Sequence, residues 1–127
     1  MSKTIISTEN APAAIGPYSQ AVRTGRTIYV SGQLPLDPVT KQMAVGAAAQ
    51  ATRSMQNIQV ILETAGCTME SIVRCGIFVT DLNDFAAINE AYAAFFAGDY
   101  PARATVQVAA LPLGAKVEID AIAVVEE

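Results

Sequence analysis

The chain has 127 residues, 52% of them apolar and 16% charged, with a net charge of −4. That length supports one domain over residues 1–127, with a core that needs no disulfide or metal staples, and a mean hydropathy of +0.34 excludes a disordered chain. No apolar run approaches the roughly 20 residues of a membrane span, and 8 basic against 12 acidic residues leave no nucleic-acid footprint.

Residues 18–22 read as a strand that turns at Thr24-Gly25 into a second strand over residues 27–31, a hairpin. Pro35 and Pro38 keep residues 32–40 as a loop. The spacing of Ala48, Ala51, Met55, Ile58, Leu62 and Ala65 predicts a helix over residues 47–65, stopped by Gly66. Residues 71–80 follow as a strand, with Val73, Cys75, Ile77 and Val79 on one face and Arg74, Gly76, Phe78 and Thr80 on the other. Asp81-Leu82-Asn83-Asp84 supplies N-cap chemistry for a second helix over residues 85–97. Its buried stripe is Phe85, Ile88, Tyr92 and Phe95, and Gly98 ends it. Strands over residues 103–108 and 116–125 close the chain, joined through Leu111-Pro112-Leu113-Gly114. The order β-β-α-β-α-β-β predicts an α+β domain, a mixed sheet with two helices on one face. The other face, and a small chain's surplus of apolar surface, call for a second copy.

Histidine is absent. That removes Ser-His-Asp and Cys-His nucleophiles, HExxH zinc sites and histidine bases. Cys67 and Cys75 cannot assemble a zinc site by themselves and read as reduced, small apolar residues. No metal or cofactor is expected. The N-terminus lacks the hydrophobic stretch of a signal peptide, so a cytoplasmic setting is expected. Chemistry is left to carboxylates, arginine, hydroxyls and the backbone.

Arg103 opens a strand that carries no other charge, and its planar fork matches a carboxylate; an ordinary ion-paired strand end fits it too. In residues 117–125, alternation turns Val117, Ile119, Ala121, Ala123 and Val125 to the helices and Glu118, Asp120, Ile122 and Val124 away. Against a neighbouring subunit Glu118 would be partly desolvated, with a raised pKa suited to proton handling; an exposed acidic edge is the plainer alternative. If the last two strands form a hairpin pairing Ala109 with Lys116, then Arg103 and Glu118 share a face but stand about 13 Å apart along it. They would then meet only across a symmetric interface, or through a bulge.

Tyr100-Pro101-Ala102-Arg103-Ala104-Thr105-Val106, Val108-Ala109-Ala110-Leu111-Pro112 and Val117-Glu118-Ile119 together resemble the signature of the Rid family, the reactive intermediate deaminases also called YjgF. Gly16-Pro17-Tyr18-Ser19-Gln20-Ala21, Ser31-Gly32-Gln33-Leu34-Pro35 and Asp81-Leu82-Asn83-Asp84-Phe85 leading to Ile88-Asn89 are similar to its other segments. The resemblance implies a chorismate-mutase-like fold, a homotrimer with clefts between subunits, and metal-free hydrolysis of 2-imino acids and their enamines to 2-keto acids and ammonia. It implies that Arg103 clamps the substrate carboxylate, that Glu118 activates water, and that Tyr18, Ser31, Gly32, Asn89 and Thr105 line the cleft. Thr105 departs from the cysteine of some bacterial members, and the loop over residues 97–100 is shorter than theirs. Two other readings stand beside this one. The first is a trimeric sensor of small keto acids or carboxylates with Arg103 as anchor only. The second is an RNA-directed translation inhibitor or ribonuclease, which the net charge of −4 disfavours.

Overall fold

Strands β1 (Thr4–Ile6), β2 (Ala21–Thr24), β3 (Thr27–Gln33), β4 (Ile72–Val79), β5 (Ala102–Gln107) and β6 (Val117–Val124) form one sheet, with helices α1 (Ala47–Thr64) and α2 (Phe85–Ala93), in a computed structural model that describes residues 2–126. The spatial order is β1-β2-β3-β6-β4-β5. β6 takes the central place because its composition demands one. Val117, Ile119, Ala121 and Ala123 are all buried under the helices, while Glu118, Asp120, Ile122 and Val124 stay half-buried on the other face. It runs antiparallel to both β3 and β4, so β3 and β4 point the same way with β6 threaded between them. β3-α1-β4 and β4-α2-β5 are therefore crossovers between parallel strands.

The expected hairpin between the last two strands does not form. β5 pairs in parallel with β4, Arg103 lying opposite Cys75 and Gln107 opposite Val79. β5 lacks a buried residue, so it gains little from two neighbours and takes the edge. Other expectations shift locally. The strand expected over residues 18–22 starts only at Ala21, and β1, which pairs with it, had no clear sequence signal. α2 stops at Ala93, short of residue 97, and Phe85 at its start is 40% exposed. In β4 the register shifts between Ile72 and Arg74. This bulge turns Ile72 to the helices and leaves Val73 exposed, so Val73 does not join Cys75, Ile77 and Val79.

α1 buries Ala51, Met55, Ile58, Ile61 and Leu62, the centre of the core. Burying each of the four larger side chains contributes on the order of 1.5–3 kcal/mol. Ala48 is exposed, contrary to the apolar stripe, and Gln50 and Asn57 are buried instead. Both amides donate and accept hydrogen bonds. Asn57 Nδ2 donates to the carbonyls of Leu34 and Leu36 at 3.1 and 3.0 Å. Gln50 donates to the Ala44 carbonyl at 3.0 Å and accepts from Lys116 N–H at 2.7 Å. They tie the loop after β3, and the entry to β6, to the helix. Cys67 and Cys75 are buried and unpaired.

Candidate active site

A second bulge builds the first half of the site. The β3–β6 register shifts between Val30 and Gln33, and the strand passes Gly32 close against the Glu118 side chain. A Cβ at Gly32 would fall 2.9 Å from Glu118 Cδ, so only glycine leaves the carboxylate where it stands. Ser31 is held on both sides, its N–H donating to the Gln20 carbonyl at 2.9 Å and its Oγ to the Ser19 carbonyl at 2.6 Å. Gln20, buried, donates to the carbonyls of Thr8 and Pro12 and accepts from Thr8 N–H, which fixes the segment leading to Tyr18. The Tyr18 hydroxyl accepts from Ile15 N–H at 3.3 Å. Tyr18, Ser31, Gly32 and Glu118 thus line one cleft of about 610 Å³, with Ile15, Leu36, Pro112 and Leu113 as its apolar walls.

Among the described residues nothing hydrogen-bonds the Glu118 carboxylate. Partial burial, and then the nearby charge of Asp120 on the same sheet face, push its pKa up. Asp120 itself accepts from Gly76 N–H at 2.8 Å.

Arg103 heads the other half. Its guanidinium lies over the rings of Tyr92 and Phe85, 5.1 and 5.6 Å from their centroids. Among the described residues it makes no ion pair or hydrogen bond, so the fork is aimed by aromatic faces and left open to a ligand. Asn89, Tyr92, Ala93, Tyr100 and Pro101 line this smaller cleft of about 370 Å³ with it. Beneath the shelf, burial pushes the Cys75 thiol up to about 11 and raises the Tyr92 hydroxyl as well. The buried Tyr92 hydroxyl has the Cys75 thiol as its polar neighbour, and among the described residues Thr105 Oγ1 is buried without a hydrogen-bond partner. Thr105 shares the strand face of Arg103 but is not part of the lining of this cleft.

The sequence-derived residues therefore fall into two groups. Tyr18, Ser31, Gly32 and Glu118 come together, as do Arg103 and Asn89. The two groups do not meet within one chain. Arg103 pairs with Cys75 and shares its helix-covered face, whereas Glu118 pairs with Phe78 and faces the open side. The expectation that they share a face is thus corrected; it followed from the hairpin that does not form. Phe85 and Tyr92 beside Arg103, and Asp120 beside Glu118, are neighbours of the candidate residues that sequence reasoning missed in that place. The signal was present for all three: Phe85 and Tyr92 lie seven apart on one helix face, and Asp120 stands two residues beyond Glu118 on one strand face. Among the described residues no cluster of three or more His, Cys, Asp or Glu converges to hold a metal ion, and no helix is long and apolar enough to cross a membrane.

The chain as a whole is similar to known proteins. The profile of the family described as Endoribonuclease L-PSP matches residues 8–125. Protein DfrA of Myxococcus xanthus is 54% identical over 127 residues, covering 98% of this chain and 97% of its own. A 2-iminobutanoate/2-iminopropanoate deaminase of Escherichia coli K12 is 52% identical, covering 98% of each chain. The crystal structure of RidA from the Antarctic bacterium Psychrobacter sp. PAMC 21119 superposes with a TM-score of 0.94 at 48% identity, covering 96% of this chain and 99% of that one.

Proposed function

The chain belongs to the Endoribonuclease L-PSP family, the Rid or YjgF family, and on that premise we propose that it hydrolyses 2-imino acids to 2-keto acids and ammonia at sites shared between copies of itself. One observation carries the shared site. An open guanidinium fork and an open, partly desolvated carboxylate leave the same sheet on opposite faces. Two spacings between strands and three residues along them put their Cα atoms about 14 Å apart. One small substrate cannot bridge that through the sheet. A neighbouring protomer set on the open face can bring its own Arg103 to this Glu118, and the homotrimer supplies three such pairings.

The chemistry suits the residues. Arg103 holds the substrate carboxylate through a bidentate pair of charge-assisted bonds. Glu118 takes a proton from water as the oxygen bonds to the C=N carbon. The resulting carbinolamine is protonated at nitrogen from the same carboxyl; the C–N bond then breaks with its electron pair leaving on ammonia, and the carbonyl forms as the hydroxyl proton passes back to the Glu118 carboxylate and on to solvent. A carboxylate with a raised pKa is suited to both transfers. Tyr18, Ser31 and Gly32 shape the Glu118 side of the cleft; Asn89 and Thr105 belong to the Arg103 side. The reaction needs no covalent nucleophile, metal or cofactor, since a protonated imine is already electrophilic. The ribonuclease reading suggested by the family's description is disfavoured by a net charge of −4, which offers little counterion release.

The test couples a serine or threonine dehydratase to the protein and follows decay of the short-lived imine. Wild type hastens its conversion to keto acid; Arg103→Ala leaves it at the buffer rate. Hydrolysis undiminished in Arg103→Ala contradicts the proposal.

A further inference from the structure

The turn leading from β5 back to β6 carries a side chain that its backbone does not favour. Gly114 N–H donates to the Leu111 carbonyl at 3.2 Å, closing a four-residue turn with Pro112 second and Leu113 third. Leu113 sits at φ 59°, ψ 20°, in the left-handed region where the third position of a proline-led turn favours glycine or asparagine. Burial does not explain the leucine either, since it is 71% exposed. Neither turn chemistry nor the core accounts for it.

Leu113 does line the cleft that holds Glu118. Ile15, 83% exposed, stands on the same cleft as a second large apolar side chain left open. Two polar side chains of that wall donate to backbone carbonyls, Ser31 Oγ to that of Ser19 and Gln33 Nε2 to that of Ser31. Within the single chain, Ile15 and Leu113 therefore give the wall beside the carboxylate an exposed apolar stretch.

We infer that Leu113 and Ile15 form a subsite for the substrate's side chain, one that favours aliphatic chains longer than methyl. The inference rests on the proposed hydrolysis at Glu118. Once the carboxylate of a 2-imino acid is held by Arg103 and its C=N carbon stands at Glu118, the side chain is the one substituent left to place. An alkyl chain covers the two open side chains and releases their water; a methyl group offers the least surface for this.

Leu113→Asn tests the subsite, because asparagine tolerates the left-handed backbone while removing the apolar surface. Imines are generated in place from alanine, 2-aminobutyrate and leucine by an amino acid oxidase with oxygen, in the presence of catalase, and followed by semicarbazide trapping. The expected result is a fall of about tenfold in the ratio of kcat/KM for the leucine-derived imine over the alanine-derived one, with the melting temperature unchanged or raised and the oligomer intact. An unchanged ratio overturns the subsite, whether activity is kept or lost equally on all three. A loss that tracks a falling oligomer mass overturns it too, and makes Leu113 an assembly residue. If wild type hastens none of the imines, the hydrolase reading itself fails, an outcome distinct from an active wild type with an unaltered ratio.

Discussion

Arg103 and Glu118 lie two strands apart in one sheet and project from its opposite faces, the first toward α2 and the second away from both helices. The strand between them sets this relation, because Arg103 takes the register of buried Cys75 and Glu118 that of half-buried Phe78. Distinct kinetic signatures follow. Arg103→Ala should cut kcat/KM by about 10²-fold or more, mostly through KM, with partial rescue by Arg103→Lys. Glu118→Gln should lower kcat by about 10²–10⁴-fold while calorimetry with a non-reacting keto acid shows binding retained. Turnover kept in Glu118→Gln would contradict the role of the carboxylate as base, and binding by a wild type that hastens no hydrolysis would favour a sensor over an enzyme.

The aromatic shelf makes a separate claim. With Tyr92 and Phe85 holding the guanidinium, Tyr92→Leu should raise KM about three- to tenfold with little change in kcat, from a cation–π contribution of about 0.5–2 kcal/mol. Tyr92→Phe keeps the ring and removes a buried hydroxyl whose polar neighbour is the Cys75 thiol, a weak partner, so KM should hold and the melting temperature should change little. A raised KM in Tyr92→Phe would show that the hydroxyl, and not the ring face, positions the guanidinium.

Gly32 offers a steric test. A Cβ there overlaps the end of the Glu118 side chain, not backbone, so Gly32→Ala should fold but displace the carboxylate. Steady-state kinetics should show a kcat loss of about tenfold or more, approaching that of Glu118→Gln, with KM little changed. Unaltered kcat would mean that the position of the carboxylate does not matter.

The raised pKa of Glu118 fixes the direction of two pH effects. As a base it must be ionised, so kcat/KM falls as pH drops through its raised value. Asp120→Asn removes the neighbouring charge and should move that acid limb to lower pH. For stability the sign is opposite to that of a salt-bridged carboxylate. The folded chain binds the Glu118 proton more tightly than the unfolded chain, so the ionised form opposes folding. Glu118→Gln should therefore be more stable than wild type at pH 7, the difference fading as pH falls through the raised value toward the unfolded glutamate value of about 4.3. Denaturant melts at both pH values check this.

Much of the fold was legible in local pattern. The strict alternation of Val117 to Val124 and the spacing of Ala51, Met55, Ile58 and Leu62 gave β6 and α1 correctly, because burial under one face writes itself into sequence period. The Rid motifs carry Tyr18, Ser31, Gly32 and Glu118, which line one cleft, and Arg103 and Asn89, which line the other. What escaped was non-local. Nothing in the segment over residues 108–116 says whether it closes a hairpin or crosses to another strand. Only the competition for the central place decides that, and β6, with four buried apolar residues, wins it over β5, which has none. The β4 bulge at Val73 was equally hidden, since valine suits either face.

The most direct measurement mixes the two inactive variants. Arg103→Ala and Glu118→Gln protomers, co-expressed or unfolded and reassembled together at equal amounts, should regain about one quarter of wild-type hydrolysis, because random assembly puts an intact Arg103 and an intact Glu118 at about a quarter of the interfaces. A mixture as inactive as its components would contradict the shared site, since lesions confined to single-chain sites cannot complement one another.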